Sequence, residues 1–292
     1  MTQKTNLNIS PYYDDFDKDD QFYKVLFKPG FPVQARELTT LQSILQNQLE
    51  SFGTHMFKDG SMVIPGNIAY DPDYYSIKIE REFLGVPVSL YLDELKGKKL
   101  TSESTGVSVV IDDYLYPEDN SQIDTLTIFV KYLNSGPDNV DATMNDGESL
   151  ITEEAFVYGN TPVSAGESVL KLIDDEACFV GSSVSLAAGV YFIRGTFVEV
   201  AADKIVLNPY DNDPSYRVGL NINEQLLTAK QDESLYDNAR GFSNFAAPGA
   251  DRLKIETTLA KKELTDVNDT NFLELIRIDD GEIRFTADKS QY

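Results

Sequence analysis

From residue 60 onward the chain runs in short stretches rich in Val, Ile, Thr, Tyr and Phe. Gly, Pro, Asn or Asp clusters interrupt them every eight to fifteen residues. That rhythm leaves room for strands and little room for helices, and strands so spaced stack as sandwiches or close into barrels. Apolar and polar residues alternate over 74–80, 86–92 and 253–259, the period of a half-buried strand. Further strands are expected within 105–116, 124–133, 155–158, 168–172, 177–185, 189–193, 197–200 and 204–207. Residues 272–278 and 282–285 read as a hairpin around Asp279-Asp280-Gly281. Pro65-Gly66 breaks the run over 61–70, and residues 95–99 read as an exposed turn. Residues 223–229 are too short a run to assign, and 234–249 read as an irregular Gly- and Asn-rich excursion.

One segment has a different period. In residues 34–57, Leu38, Leu41, Leu45, Leu49, Phe52 and Met56 recur at spacings of 3, 4, 4, 3 and 4. That keeps them on one face of a straight α-helix. A strict heptad seam would put Gln48 and His55 at core positions. The stripe therefore predicts a helix lying on a sheet or a partner, with a short oligomeric contact left open. Ahead of it, residues 1–33 are polar and studded with aromatics, with a short strand expected at 21–27 and a turn at Pro29-Gly30.

These patterns give a mainly β chain with one long N-terminal α-helix and multidomain, barrel- or sandwich-like β regions. The expected layout is an extended docking arm over 1–33, the amphipathic helix over 34–57, a first β domain over 58–145 and a second over 146–292. The boundary is placed in the Gly-, Asn- and Asp-rich loop 134–147. The chain is expected to continue past Tyr292, since a terminal strand pair commonly has more chain after it.

Charge narrows the function classes. Lys and Arg number 25 against 48 Asp and Glu, a formal net charge of −23. Phosphate backbones and anionic lipid repel such a chain, so nucleic-acid binding is not expected. No apolar run approaches the roughly 20 residues of a membrane helix, so membrane insertion is not expected either, and residues 1–8 carry no secretory core. The lone Cys178 sits among apolar residues and reads as an inert thiol. With one His and one Cys, no four-ligand zinc site is available. His55 reads as a packing or helix-terminal residue. Asp15, Asp17 and Asp19 imitate the start of a calcium loop, but Asp20 and Leu26 stand where Gly and Glu are needed. Asp138, Asp141 and Asp146 form a weak calcium candidate, and Asp211 with Asp213 a weaker one. No phosphate loop, dinucleotide fingerprint, nucleophile elbow or zinc-protease motif occurs. No catalytic residue, metal site or cofactor is assigned.

Two stretches carry a resemblance. One is Gln21-Phe-Tyr-Lys-Val-Leu-Phe-Lys-Pro-Gly-Phe-Pro-Val-Gln-Ala-Arg-Glu-Leu-Thr-Thr-Leu-Gln-Ser-Ile-Leu-Gln46. The other runs from Gly189-Val-Tyr-Phe-Ile-Arg-Gly195 through Pro214-Ser-Tyr-Arg-Val-Gly219 to the 237–251 segment, Asp-Asn-Ala-Arg-Gly-Phe-Ser-Asn-Phe-Ala-Ala-Pro-Gly-Ala-Asp. Together they resemble a domain of uncharacterised function in tail proteins of large phages, including contractile-tailed cyanophages. The resemblance implies a virion structural protein made in the host cytoplasm: the attachment part of a tail fibre or a baseplate component. It implies partners among baseplate and tail proteins and self-association, with a homotrimer suspected because phage fibres are commonly trimeric. The attachment residues expected are Phe22, Tyr23, Phe27, Phe31 and Pro32 on the arm and Leu38, Leu41, Leu45, Leu49 and Phe52 on the helix. The alternative is a carbohydrate-engaging tail protein, a receptor-binding module or depolymerase. A secreted bacterial surface protein fits less well.

Overall fold

The computed structural model describes residues 4–64, 66–136 and 143–287. Among them the chain is mainly β with one long helix, and no sheet closes into a barrel. The largest sheet has eight strands, in the spatial order Ser168–Lys171, Ser149–Thr152, Lys99–Ser102, Ser108–Leu115, Thr127–Tyr132, Ile68–Lys78, Cys178–Leu186, Asp203–Asn208. A four-stranded sheet runs Arg252–Glu263, Tyr216–Leu227, Phe272–Asp279, Glu282–Thr286, and a three-stranded one Met62–Ile64, Gly189–Ile193, Thr196–Val200. Every pairing in these three sheets is antiparallel.

Two large cores lie on the eight-stranded sheet. The first gathers Ile77, Ile79, Leu100, Val109, Ile111, Ile128, Leu150 and Leu170 with the short helix Leu92–Leu95. The second brings all three sheets together: Val184, Leu186 and Leu207 meet Tyr191 and Ile193, and both sets meet Val218, Leu220 and Ile276. Two long strands serve both cores. Ile68–Lys78 gives Ile77 to the first and packs Ile68 and Tyr70 against the second. Cys178–Leu186 likewise packs Cys178 on the first and buries Val184 and Leu186 in the second, its register shifting between Gly181 and Ser183. Such a bulge bends a strand and raises its twist, which lets one ribbon face two cores.

The sheet also crosses the boundary expected at 145–146. Lys99–Ser102 pairs with Ser108–Leu115 on one side and with Ser149–Thr152 on the other. The loop there joins two strands of a single sheet, Thr127–Tyr132 and Ser149–Thr152, with Ser108–Leu115 and Lys99–Ser102 hydrogen-bonded in the space between them.

Several expectations fail locally. Residues 86–92 do not form one strand: Val86–Pro87 pairs briefly with Glu82–Phe83, and a 3-10 turn at Val88–Leu90 leads into helix Leu92–Leu95. Pro87 cannot donate to a ladder, and the buried Val88, Leu92 and Leu95 follow a helical spacing. Leu95, expected in an exposed turn, is fully buried. The strand expected at 21–27 is absent: Gln21 adopts a left-handed conformation (φ 58°), and no strand pairs with the segment. Tyr216–Leu227, a twelve-residue strand, escapes a pattern reading because Gly219, Asn221, Asn223, Glu224 and Gln225 dilute its β signal. The 279–281 hairpin forms as expected, with Asp280 and Gly281 both at positive φ.

Tyr191 is fully buried in the second core, and its hydroxyl has no hydrogen-bond partner among the described residues. A buried, unpaired hydroxyl costs about 1–3 kcal/mol. Replacing Tyr191 with Phe removes that cost at nearly constant shape, so the variant should gain about 1 kcal/mol in urea unfolding. Unchanged or lower stability would show that the hydroxyl is satisfied in solution.

Candidate docking interface

The long helix spans Ala35–Met56, close to the length its apolar stripe predicts. Its first turn is fixed by Glu37, whose carboxylate accepts the Gln34 backbone N–H at 3.0 Å. Its last is closed by the Phe57 N–H donating to the Gly53 carbonyl at 2.7 Å. His55 is exposed near that end, its ring Nδ1 2.8 Å from the Ser51 carbonyl.

The helix does not lie on the body with its apolar stripe. The inward face is made of Ser43, Ile44, Gln46, Glu50 and Gly53. The Gln46 amide donates to the Gly195 carbonyl and to Thr196 Oγ1, both at 3.0 Å. Gly53 sits directly on the Phe192 ring, where a Cβ would come within 2.5 Å of a ring carbon. Phe57 and Phe197 close round Phe192, with ring centroids 5.9 and 5.2 Å from it. Glu50 packs on Gly195, which holds a positive φ of 79° in the turn of the 189–200 hairpin. Ser43 and Thr40 reach back to the buried Asp14. At 100° per residue these positions centre about 120° round the helix from Leu38, Leu45, Leu49 and Phe52, all of which are exposed. The stripe therefore faces outward.

An ionic cluster holds this arrangement. Arg194, in the same turn, pairs with Glu224, and the two side chains are 3% and 4% exposed. Arg194 also donates to Asn271 Oδ1 at 2.8 Å, and its backbone N–H donates to Asp59 just beyond the helix at 2.7 Å. Glu224 accepts further bonds from the backbone N–H groups of Lys4 and Thr5, each at 3.1 Å. The Lys4 ammonium reaches the Thr270 carbonyl at 2.9 Å and Asn271 Oδ1 at 2.7 Å. Burial pushes the Glu224 carboxyl up, but hydrogen bonds from Arg194 and Thr5 outweigh it and hold the group below its ordinary value.

The arm thus divides. Residues 4–14 dock in cis: besides Lys4 and Thr5, the Tyr12 hydroxyl donates to Asp251 at 2.7 Å. This part binds through polar groups, which the expectation of an intermolecular aromatic arm did not separate out. Asp15 pairs with Arg36 at 2.9 Å and Phe16 is half-buried; the aromatics after them stay in solvent. Of the expected attachment residues, Phe22, Tyr23, Phe27, Phe31, Leu38, Leu45, Leu49 and Phe52 are between 44% and 70% exposed; Pro32 is exposed and Leu41 half-buried. Arg194, Glu224, Asp14 and Gly53, which set the helix in place, carried no sequence signal beyond the Gly189–Gly195 stretch noted for its resemblance.

The other candidates resolve differently. Burial pushes the Cys178 thiol up to about 11, so it stays protonated at neutral pH. Asp138 and Asp141 lie outside the described residues; Asp146 spends its carboxylate on the backbone N–H groups of Glu176 and Ala177. Asp211 accepts from the Asp213 backbone N–H. Among the described residues no three His, Cys, Asp or Glu side chains gather as a metal set, and no helix is long and apolar enough to cross a membrane. A polar cleft of about 480 Å³ lies beside Gln122, Tyr216 and Lys261. Burial pushes the Lys261 ammonium down to about 8. It donates to Gln122 and to the Val206 and Leu207 carbonyls at 2.5, 3.0 and 2.6 Å, which makes it a strut between two sheets.

Removing one partner of a buried ion pair leaves the other charge uncompensated, at a cost of about 3–5 kcal/mol. Glu224→Gln should lose about 3 kcal/mol or more in urea unfolding at neutral pH. Because the folded carboxyl titrates below its unfolded value, its stabilisation is complete above about pH 4.3 and is lost as pH falls through the folded value. The gap between wild type and Glu224→Gln should therefore shrink as pH drops from 6 to 3. A gap independent of pH would show that Glu224 acts only by shape.

A family model described as a domain of unknown function, DUF4815, matches residues 10–147 and 134–292. No curated protein and no solved structure matches the chain. With both matches together spanning nearly all of its length, the chain belongs to the DUF4815 family.

Proposed function

We propose that this chain is a structural subunit of a phage tail, in which a rigid β body presents the arm and helix as the attachment part of a fibre or baseplate component. One observation carries the reading. Of the twenty-five large apolar side chains exposed among the described residues, thirteen lie in residues 4–57, about a fifth of the chain. Apolar exposure so concentrated marks a surface that another protein covers. The resemblance of residues 21–46 and 189–251 to tail proteins of large phages supplies the setting.

The role of each part follows from its chemistry. The polar segment 4–14 and the Arg194–Glu224 cluster lock the helix to the body, so attachment force passes into the sheets. The aromatics at 22–31 offer large, rigid contact area at low entropic cost, as interface anchors do. Partner proteins that present basic or cation-bridged surfaces suit the remainder of a chain of net charge −23.

The test is location. Antibody raised against the purified chain and imaged by electron microscopy on intact phage particles should label the tail or baseplate. Particles free of label, with the chain recovered only from the soluble fraction of infected cells, would overturn the reading.

A further inference from the structure

We infer that the outward face of the long helix is a homotypic contact, packed in the assembled state against the same face of a second copy of this chain. The inference rests on the structural-subunit reading and names the occupant of one part of its attachment surface.

Charge selects the occupant. Among the 22 residues of the helix only Arg36, Glu37 and Glu50 carry full charge. Each is already engaged: Arg36 with Asp15, Glu37 with the Gln34 N–H, and Glu50 turned inward onto Gly195. The residues flanking the stripe are Gln42 and Gln48, both neutral. The rest of the chain carries nearly all of its 48 acidic residues. A basic partner would be recognised by an acidic rim, and this face has none. Two copies of a chain of net charge −23 repel wherever their acidic surfaces meet within about 8 Å, the screening distance at physiological salt. The helix face is a surface where they approach without that cost.

Shape and area agree. The 3-4-4 spacing makes a straight ridge, so two such helices pack along their length without the supercoil a heptad imposes. At 1.5 Å per residue the helix is about 33 Å long and, at about 12 Å wide, offers about 400 Å². A stable pair covers about 800 Å² on each copy. Roughly half must come from neighbouring apolar surface, and Phe31 and Val33, 70% and 51% exposed, lead directly into the helix. The contact therefore includes the end of the arm.

Sedimentation equilibrium of the purified full chain at micromolar concentration decides it. The expected mass is a multiple of 32.6 kDa. Leu45→Glu places a charge in the middle of the ridge and should weaken association at least about 100-fold. Leu45 is 62% exposed on the single chain, so the circular dichroism spectrum should stay unchanged. Leu45→Cys in a Cys178→Ser background should form an interchain disulfide under mild oxidation. Phe31→Ser should weaken the same association to a lesser degree. A single-chain mass throughout, or an oligomer indifferent to Leu45→Glu, overturns the inference. Either result together with tail labelling of particles would leave the structural-subunit reading standing, whereas loss of labelling with intact self-association would remove that reading alone.

Discussion

The ion pair between Arg194 and Glu224 is the point on which the arrangement of this chain depends. It brings together five stretches far apart in sequence: the N-terminal residues Lys4 and Thr5, the segment after the helix at Asp59, the hairpin turn at 194–195, the strand Tyr216–Leu227 and the loop at 270–271. Both charges are withdrawn from water, so each is tolerable only while the other and its hydrogen bonds are present. That makes the cluster a discriminating joint: the N-terminal segment, helix and C-terminal sheet fit together in the one geometry that satisfies all of them.

The cost of this joint is borne by the helix. Its polar and small residues face the body because Gln46 and Gly53 match what the hairpin presents: carbonyl and hydroxyl acceptors near Gly195 and a flat Phe192 ring. Leucines turned inward would meet those polar groups and leave them unpaired. The chain therefore folds with an apolar ridge in water, an arrangement that is unfavourable for a lone molecule and favourable for a subunit. The body beneath it is stiff for a separate reason. Two long strands, Ile68–Lys78 and Cys178–Leu186, run through both cores with one bulge in the ladder they share, so the two cores cannot move independently without breaking shared hydrogen bonds.

Most strands were legible because their side chains alternate between a core and solvent, a property local to six or eight residues. The strand Thr196–Val200 is of this kind, burying Val198 and Val200 while Phe197 and Glu199 face out; the hairpin at 272–286 was legible instead from its Asp279-Asp280-Gly281 turn. Tyr216–Leu227 was not, since its polar residues gain strand geometry only from the ladders on either side of it. Residues 88–95 misled because two periods overlap in so short a stretch, and only burial tells which side chains share a face. The apolar residues of the arm and helix were legible against their polar setting, but the buried cluster behind them was not. A single Arg and a single Glu thirty residues apart look like any other pair in so acidic a chain.

By itself the sequence determined a mainly β chain, one long helix with an apolar face, and a formal net charge of −23. These are properties of composition and of short-range periodicity, which need no knowledge of neighbours. The tertiary structure decided which way that face points, that one sheet spans the loop at 134–147, and that the first residues bind in cis. Those depend on what each segment meets across the fold. A stripe of leucines shows that the helix has an apolar face, and only the contacts made by its other side show that the described residues of the body leave that face uncovered.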